Sequence, residues 1–122
     1  MSRLIEILVE DVNGQPIWGA NITFTVDGTP AGEVIGSYGR ASIEIPANAT
    51  LHVEASLGNI KQDATVARAT MTAPKTVSHR FQFAKVPSLV VPAAPEARCP
   101  DGSTGRPCVK CLINGKTVTV CA

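Results

Sequence analysis

The residues best suited to chemistry are four cysteines, Cys99, Cys108, Cys111 and Cys121, all in the C-terminal stretch 99–122. Three chemistries fit them. Two disulfides are the first. Asn114-Gly115 between Cys111-Leu-Ile and Lys-Thr-Val-Thr-Val is a strong signal for a two-residue hairpin turn. Paired positions then add up to 229, which sets Cys108 opposite Cys121. Stepping out from the turn, that pair falls at a non-hydrogen-bonded position, where Cα atoms stand about 4.5 Å apart, at the short end of the disulfide range. Cys111 then lies on the other face, where it could meet Cys99. The second chemistry is a structural Zn2+ site on the same four residues, for which the count and the Cys-x-x-Cys spacing speak. A tetrahedral site commonly uses two such knuckles, the chain has one, and all four thiolates would have to reach one side. The third is a redox pair, Cys108-Val-Lys-Cys111, with Lys110 favouring the thiolate. Such pairs open helices, and Val-Lys-Cys-Leu-Ile predicts a strand. The register favours disulfides.

Other candidate residues have structural explanations. His79, between Val77 and Phe81 on an apolar face, reads as a packed histidine, and His52 on a polar face as a solvated one. Two histidines leave a Cys-His nucleophile pair without supporting geometry. Trp18 beside Gly19 reads as a core or edge plug, with a sugar-stacking platform as the alternative. Asp11, Asp27 and Glu33 sit near turns and lack the D-x-D-x-D-G spacing of a calcium loop, so turn-forming roles are expected. Asn21-Ile-Thr and Asn48-Ala-Thr match the glycosylation acceptor pattern.

The elements that must position these residues are strands. Residues 3–10 alternate, with Ile5, Ile7 and Val9 inward, Glu6 and Glu10 outward, and Leu4 and Leu8 on that outward face, which something else could cover. Asn13-Gly14 supplies a tight turn, and Ala20, Ile22, Phe24 and Val26 share the inner face of the next strand, closed by Asp27-Gly28. Residues 27–39, with Gly28, Gly32, Gly36, Gly39 and Pro30, read as turns around a short Glu33-Val34-Ile35 segment. Arg40 to Ile45 alternates again until Pro46. Residues 51–57 point Leu51, Val53, Ala55 and Leu57 inward, and Gly58-Asn59 breaks the run. Residues 60–73 read as a loop plus a weak strand. Residues 76–86 form the last strand of the body, with Val77, His79, Phe81 and Phe83 on one face. From Pro87 the composition becomes that of an extended Pro/Ala-rich linker, interrupted by Leu89-Val90-Val91, an apolar triplet that should pack on something.

The expected organisation is therefore a β-sandwich over 1–86, a linker over 87–98 and a Cys-rich hairpin tail over 99–122. A chain of 122 residues can bury a core of its own, and a hydrophobic fraction of 44% with 17% charged residues argues against disorder. A net charge of +1 gives no reason to expect nucleic acid, and no apolar run reaches the roughly 20 residues of a membrane-spanning helix. The opening Met-Ser-Arg-Leu-Ile-Glu-Ile-Leu-Val-Glu is too interrupted by acids for a signal peptide. The expected location is the cytoplasm or a virion or other extracellular assembly.

At Val9 to Gly28 the pattern V-x-D-x-N-G-x-P-I-x-G-A-x-I-x-F, and later G-x-A-x-I-x-I-P over Gly39–Pro46, resembles the carboxypeptidase-regulatory-like, transthyretin-like domains. The resemblance covers residues 3–86 and none of the tail. It implies an all-β, immunoglobulin-like or prealbumin-like antiparallel sandwich of six to seven strands, acting as a non-enzymatic adaptor, adhesion module or assembly unit. It supplies no catalytic residue and no cofactor. Related surface domains join a strand Lys to an Asn; the first strand here has Arg3 and no Lys, so that bond is not expected.

The functional expectation is a structural or protein-interaction module without turnover. It would associate with a protein partner or a second copy through strand edges, the Leu4/Leu8 face and the 89–91 triplet. Its rivals are an intracellular adaptor with a zinc-bound tail and a small thiol oxidoreductase.

Overall fold

The structure, a computed structural model, describes residues 2–68, 76–84 and 94–122. It is all-β, with two sheets packed face to face. The strands are β1 (Ser2–Asp11), β2 (Asn21–Val26), β3 (Thr29–Ile35), β4 (Arg40–Pro46), β5 (Leu51–Leu57), β6 (Ile60–Ala67), β7 (Thr76–Phe83), β8 (Glu96–Arg98), β9 (Thr104–Gly105), β10 (Cys108–Ile113) and β11 (Lys116–Cys121). One sheet runs β10-β11-β4-β1-β7 and the other β6-β5-β2-β3-β8-β9. All described strand pairs are antiparallel except β1 and β7, which run parallel.

The period-two patterning explains the layers. Ile5, Ile7, Val9 and Ile43 of the first sheet are fully buried, as are Ile22, Phe24, Val34, Leu51 and Val53 of the second. Their alternation with polar residues fixes register, because a slip of one residue would turn the whole apolar set to water. The aliphatic core is closed by Phe24, Phe81 and Phe83. β1 departs from strict alternation at its C-terminal end, where Glu10, expected to face outward, is buried next to Val9; Arg3, also buried, keeps the inward phase of Ile5, Ile7 and Val9. Arg3 Nη1 donates to the Arg68 carbonyl at 3.5 Å, and Glu10 lies under the bridge to Pro16 with Arg80 Nη1 3.8 Å from its carboxylate.

Two segments carry more strand than their sequence suggests: 27–39, read as turns around a short Glu33-Val34-Ile35 segment, and 60–73, read as a loop plus a weak strand. Within 27–39, Asp27 (φ 50°) and Gly28 (φ 80°) form the turn, and β3 then spans Thr29–Ile35 despite Pro30 and Gly32. A register shift at Phe24/Thr25 and the φ of +140° at Gly32 absorb those two residues. Glycine is required there: a Cβ would lie 2.8 Å from the Arg98 carbonyl oxygen and 3.0 Å from Val120 Cγ2. Within 60–73, Ile60–Ala67 is β6, an edge strand hairpinned onto β5 across Gly58-Asn59. The remainder up to 75 lies outside the described residues, apart from Arg68.

The tail is built into both sheets. Glu96–Arg98, read as the end of the linker, is β8 and pairs with β3 (Val34 opposite Ala97). β10 and β11 turn at Asn114-Gly115 (φ 51° and 78°), and β11 adds to β4 with Val120 opposite Ile43. Asn114 Nδ2 also donates to Thr29 Oγ1 at 3.0 Å, pinning the hairpin tip to the β2–β3 turn. Ala97, Cys99, Cys111, Ile113, Val118 and Val120 belong to the same apolar core as the body strands. The apolar triplet Leu89-Val90-Val91 lies outside the described residues.

Candidate functional site

Cys108 pairs with Cys121 in the β10–β11 ladder, with Cα atoms 4.1 Å apart, and the two are disulfide-bonded. They lie on the outer face of the first sheet, Cys108 exposed and Cys121 half-buried. Cys111, three residues on and therefore on the opposite face, is 2% exposed and bonded to Cys99, 7% exposed, at the end of β8. That second bridge joins the two sheets through the core. The four sulfurs are thus split between two faces of β10, which is the arrangement the hairpin register implies. It also removes the set of four thiolates that the zinc alternative requires, and the Cys108-x-x-Cys111 redox pair, since those two residues bond to different partners. Among the described residues no group of three or more His, Cys, Asp or Glu side chains is gathered as a metal ion would need.

A second cluster sits on the outer face of the other sheet. His52 Nε2 is 2.8 Å from Asp63 Oδ2, and His52 Nδ1 is 3.2 Å from Thr65 Oγ1. His52 lies opposite Thr65 across β5 and β6, so the strand register assembles the trio. Acid, imidazole and hydroxyl stand in a row, the order of a nucleophile relay. The imidazole and carboxylate are 42% and 65% exposed, however, so water screens their interaction. This is a cross-strand surface network on an edge strand, and His52 is partnered rather than merely solvated. His79 packs edge-on against Phe81, ring centroids 4.7 Å apart.

Of the three acidic residues expected at turns, Asp11 and Asp27 hold turns, whereas Glu33 lies within β3 opposite Thr23 of β2. Asp11 Oδ1 accepts from the Asn13 and Gln15 amides at 2.8 and 3.0 Å, and Asp27 Oδ1 from the Thr50 amide at 2.8 Å. Asn21 Oδ1 accepts from the Gly36 amide at 2.9 Å. In the tail, Glu96 receives Arg98 Nε at 2.8 Å and Arg106 Nη2 at 3.1 Å. The Arg98 hydrogen bond holds the Glu96 carboxyl below its ordinary value and raises that of Arg98.

The surface most suited to contact is the outer face of the first sheet and the loops above it. Leu4 is 36% exposed beside half-buried Leu8, and Leu112 is 74% exposed farther out on β10. A groove of about 260 Å³ runs between Glu6, Leu8, Arg40, Ser42 and Ala122. It meets a second, of about 440 Å³, bounded by Leu8, Pro16, Tyr38, Arg40, Pro95 and Ala122. Above them, in the β1–β2 and β3–β4 connections, Trp18 stacks on Tyr38 with ring centroids 4.7 Å apart and planes 26° off parallel. Trp18 is 57% exposed, so it is neither a core nor an edge plug. The sequence gives no cue to that stack, because the two rings lie 20 residues apart in separate loops. The chain gives no match to any family model, curated protein or solved structure.

Proposed function

We propose that the chain is a non-enzymatic assembly or interaction module, a disulfide-stapled sandwich that packs against a second copy or a protein partner. The observation that carries this reading is the outer face of the first sheet. Strand β1, between β4 and the edge strand β7, presents Leu4 and Leu8 there, while the tail hairpin stiffens the same sheet with two further strands held by covalent bridges. A rigid surface loses little freedom when it docks, which favours association. The edges of the two sheets formed by β7 and β6 offer backbone groups for strand addition, although Gln62 Nε2 closes part of that side on the Gln82 carbonyl. Disulfides fit an oxidising setting, so an extracellular particle or virion suits the reading better than the cytosol. The resemblance of residues 3–86 to carboxypeptidase-regulatory-like domains, as assembly units with an immunoglobulin-like fold, is part of the same proposal.

Sedimentation velocity on oxidised protein over about 1–100 μM, the range in which a contact of Kd about 10 μM fills, tests it. The expected result is a dimer or larger species that Leu4→Asp disperses, with an unchanged far-ultraviolet circular dichroism spectrum. A monomer throughout that range, or an oligomer indifferent to Leu4→Asp, would overturn the reading of this face.

A further inference from the structure

The chain has five aromatic residues, three Phe, one Tyr and one Trp. All three Phe are buried in the core, whereas Trp18 is 57% exposed and Tyr38 half-buried. An indole left in water forgoes the most favourable burial open to any side chain here. It is also not a loose side chain. The loops carrying the two rings are tied by hydrogen bonds from the Gly19 amide to the Ser37 carbonyl (2.7 Å) and from the Ser37 amide to the Ala20 carbonyl (2.9 Å). The Val9 amide bonds the Gly39 carbonyl at 2.8 Å, and Gly39 sits so close to Pro16 that a Cβ would approach the proline Cβ to 2.7 Å. The stack is therefore a fixed platform.

Tyr38 also forms one wall of the 440 Å³ groove, whose other side chains are Leu8, Pro16, Pro95 and Ala122 with a single cation, Arg40. That volume lies in the range of about 300–1,000 Å³ usual for small-molecule sites, and the lining mixes apolar side chains with the polar groups of Tyr38 and Arg40. A flat π face beside a guanidinium with five N–H donors matches one ligand chemistry well. A pyranose ring carries a face of C–H bonds, slightly positive, that complements the negative face of an indole. Its rim of hydroxyls accepts hydrogen bonds from arginine.

We propose that the Trp18–Tyr38 platform and the Arg40 groove form a carbohydrate-binding site, in which one hexopyranose ring lies on the exposed indole and the next unit of the glycan reaches Arg40. The groove shares Leu8 with the proposed contact face but not Leu4, the residue that the sedimentation test changes, so either proposal can fail alone.

Trp18 is the one tryptophan in the chain, so its fluorescence reports the site directly. Chitotetraose, cellotetraose, maltotetraose and trigalacturonate would be titrated to about 10 mM, where even a Kd of about 1 mM is mostly saturated. The expected result is a saturable change in Trp18 emission with at least one of them. By calorimetry, Trp18→Ala should weaken that binding about tenfold or more and Arg40→Gln severalfold, both with unaltered circular dichroism. No saturable change with any of the four overturns the proposal, as does binding that Trp18→Ala leaves intact. Emission that shifts with protein concentration alone, with no response to sugar, would assign the stack to a contact between copies and likewise overturn it.

Discussion

Removing the core bridge with Cys99→Ala/Cys111→Ala should be more damaging than removing the surface bridge with Cys108→Ala/Cys121→Ala. The chain-entropy contribution of the two is nearly equal. Their sequence separations are 12 and 13 residues, and a loop of that size corresponds to about 3 kcal/mol of destabilisation of the unfolded chain. The difference lies in the folded state. Cys108 and Cys121 occupy the outer face, where two alanines leave no cavity. Cys99 and Cys111 are 7% and 2% exposed in the core between the sheets, and deleting two buried sulfurs adds a cavity term of about 1–2 kcal/mol. The expected losses are therefore about 3 kcal/mol for the outer pair and about 4–5 kcal/mol for the inner pair. With unfolding entropies scaled to this chain length, these correspond to falls in Tm of about 12 °C and about 16–20 °C. A domain of this size has about 6–18 kcal/mol to lose, so both variants should still fold. Urea unfolding followed by circular dichroism at 218 nm gives the numbers directly. An outer-pair variant that loses as much as the inner-pair variant would refute the placement of the two bridges. So would an inner-pair variant that loses less than about 2 kcal/mol.

Under mild reductant without denaturant, Cys108 and Cys121 should be alkylated first while Cys99 and Cys111 stay protected; time-resolved peptide mass spectrometry reads the order, and simultaneous labelling would contradict it. Gly32→Ala should destabilise the fold by about 1–3 kcal/mol, because φ +140° is strained for alanine and its Cβ would meet the Arg98 carbonyl oxygen; an unfolding midpoint equal to that of the wild type would count against the β3–β8 packing. Phe24→Ala, fully buried at the centre of the second sheet, should lose about 3–5 kcal/mol by the same urea assay. Glu96 has a lowered folded-state value through its bond to Arg98, so its stabilising effect is present above the unfolded carboxyl value of 4.5 and is lost as pH falls through the lower folded one. A carbon-detected NMR titration should place the Glu96 carboxyl below 4.5, and a midpoint at or above that value would remove the ion pair from the account.

How much could be read in advance depended on whether the determinant was local. Strand faces are local: the alternation of Ile5, Ile7 and Val9, of Ala20 to Val26, and of Leu51 to Leu57 carried directly into burial. The turn at Asn114-Gly115 is local too, and register arithmetic from it placed Cys108 on Cys121 and sent Cys111 to the opposite face. β3 was obscured because Pro30 and Gly32 are local signs of a turn, and only the bulge against Phe24/Thr25 and the carbonyl of Arg98 make a strand of that segment. β6 and β8 are strands by virtue of what they pair with, β5 and β3, and their own composition is weak. The Trp18–Tyr38 stack and the His52–Asp63–Thr65 row depend on which loops and strands come together, which no window of neighbouring residues contains. The Leu4/Leu8 face was visible as a mismatch, two leucines on the polar side of an otherwise alternating strand.

The two cross-links that make the tail part of the sandwich can be tested in a single digest. Non-reduced protein, blocked at any free thiol, is cut with trypsin and with a protease specific for the amino side of aspartate. Cleavage after Arg98, before Asp101 and after Lys110 and Lys116 puts each cysteine in its own peptide, because Arg106 is protected by Pro107. The expected species are Cys99-Pro100 joined to the peptide 111–116, and the peptide 101–110 joined to 117–122. Cys99-Pro100 joined to 117–122, or four alkylated thiols, would contradict the inter-sheet bridge and with it the integrated tail.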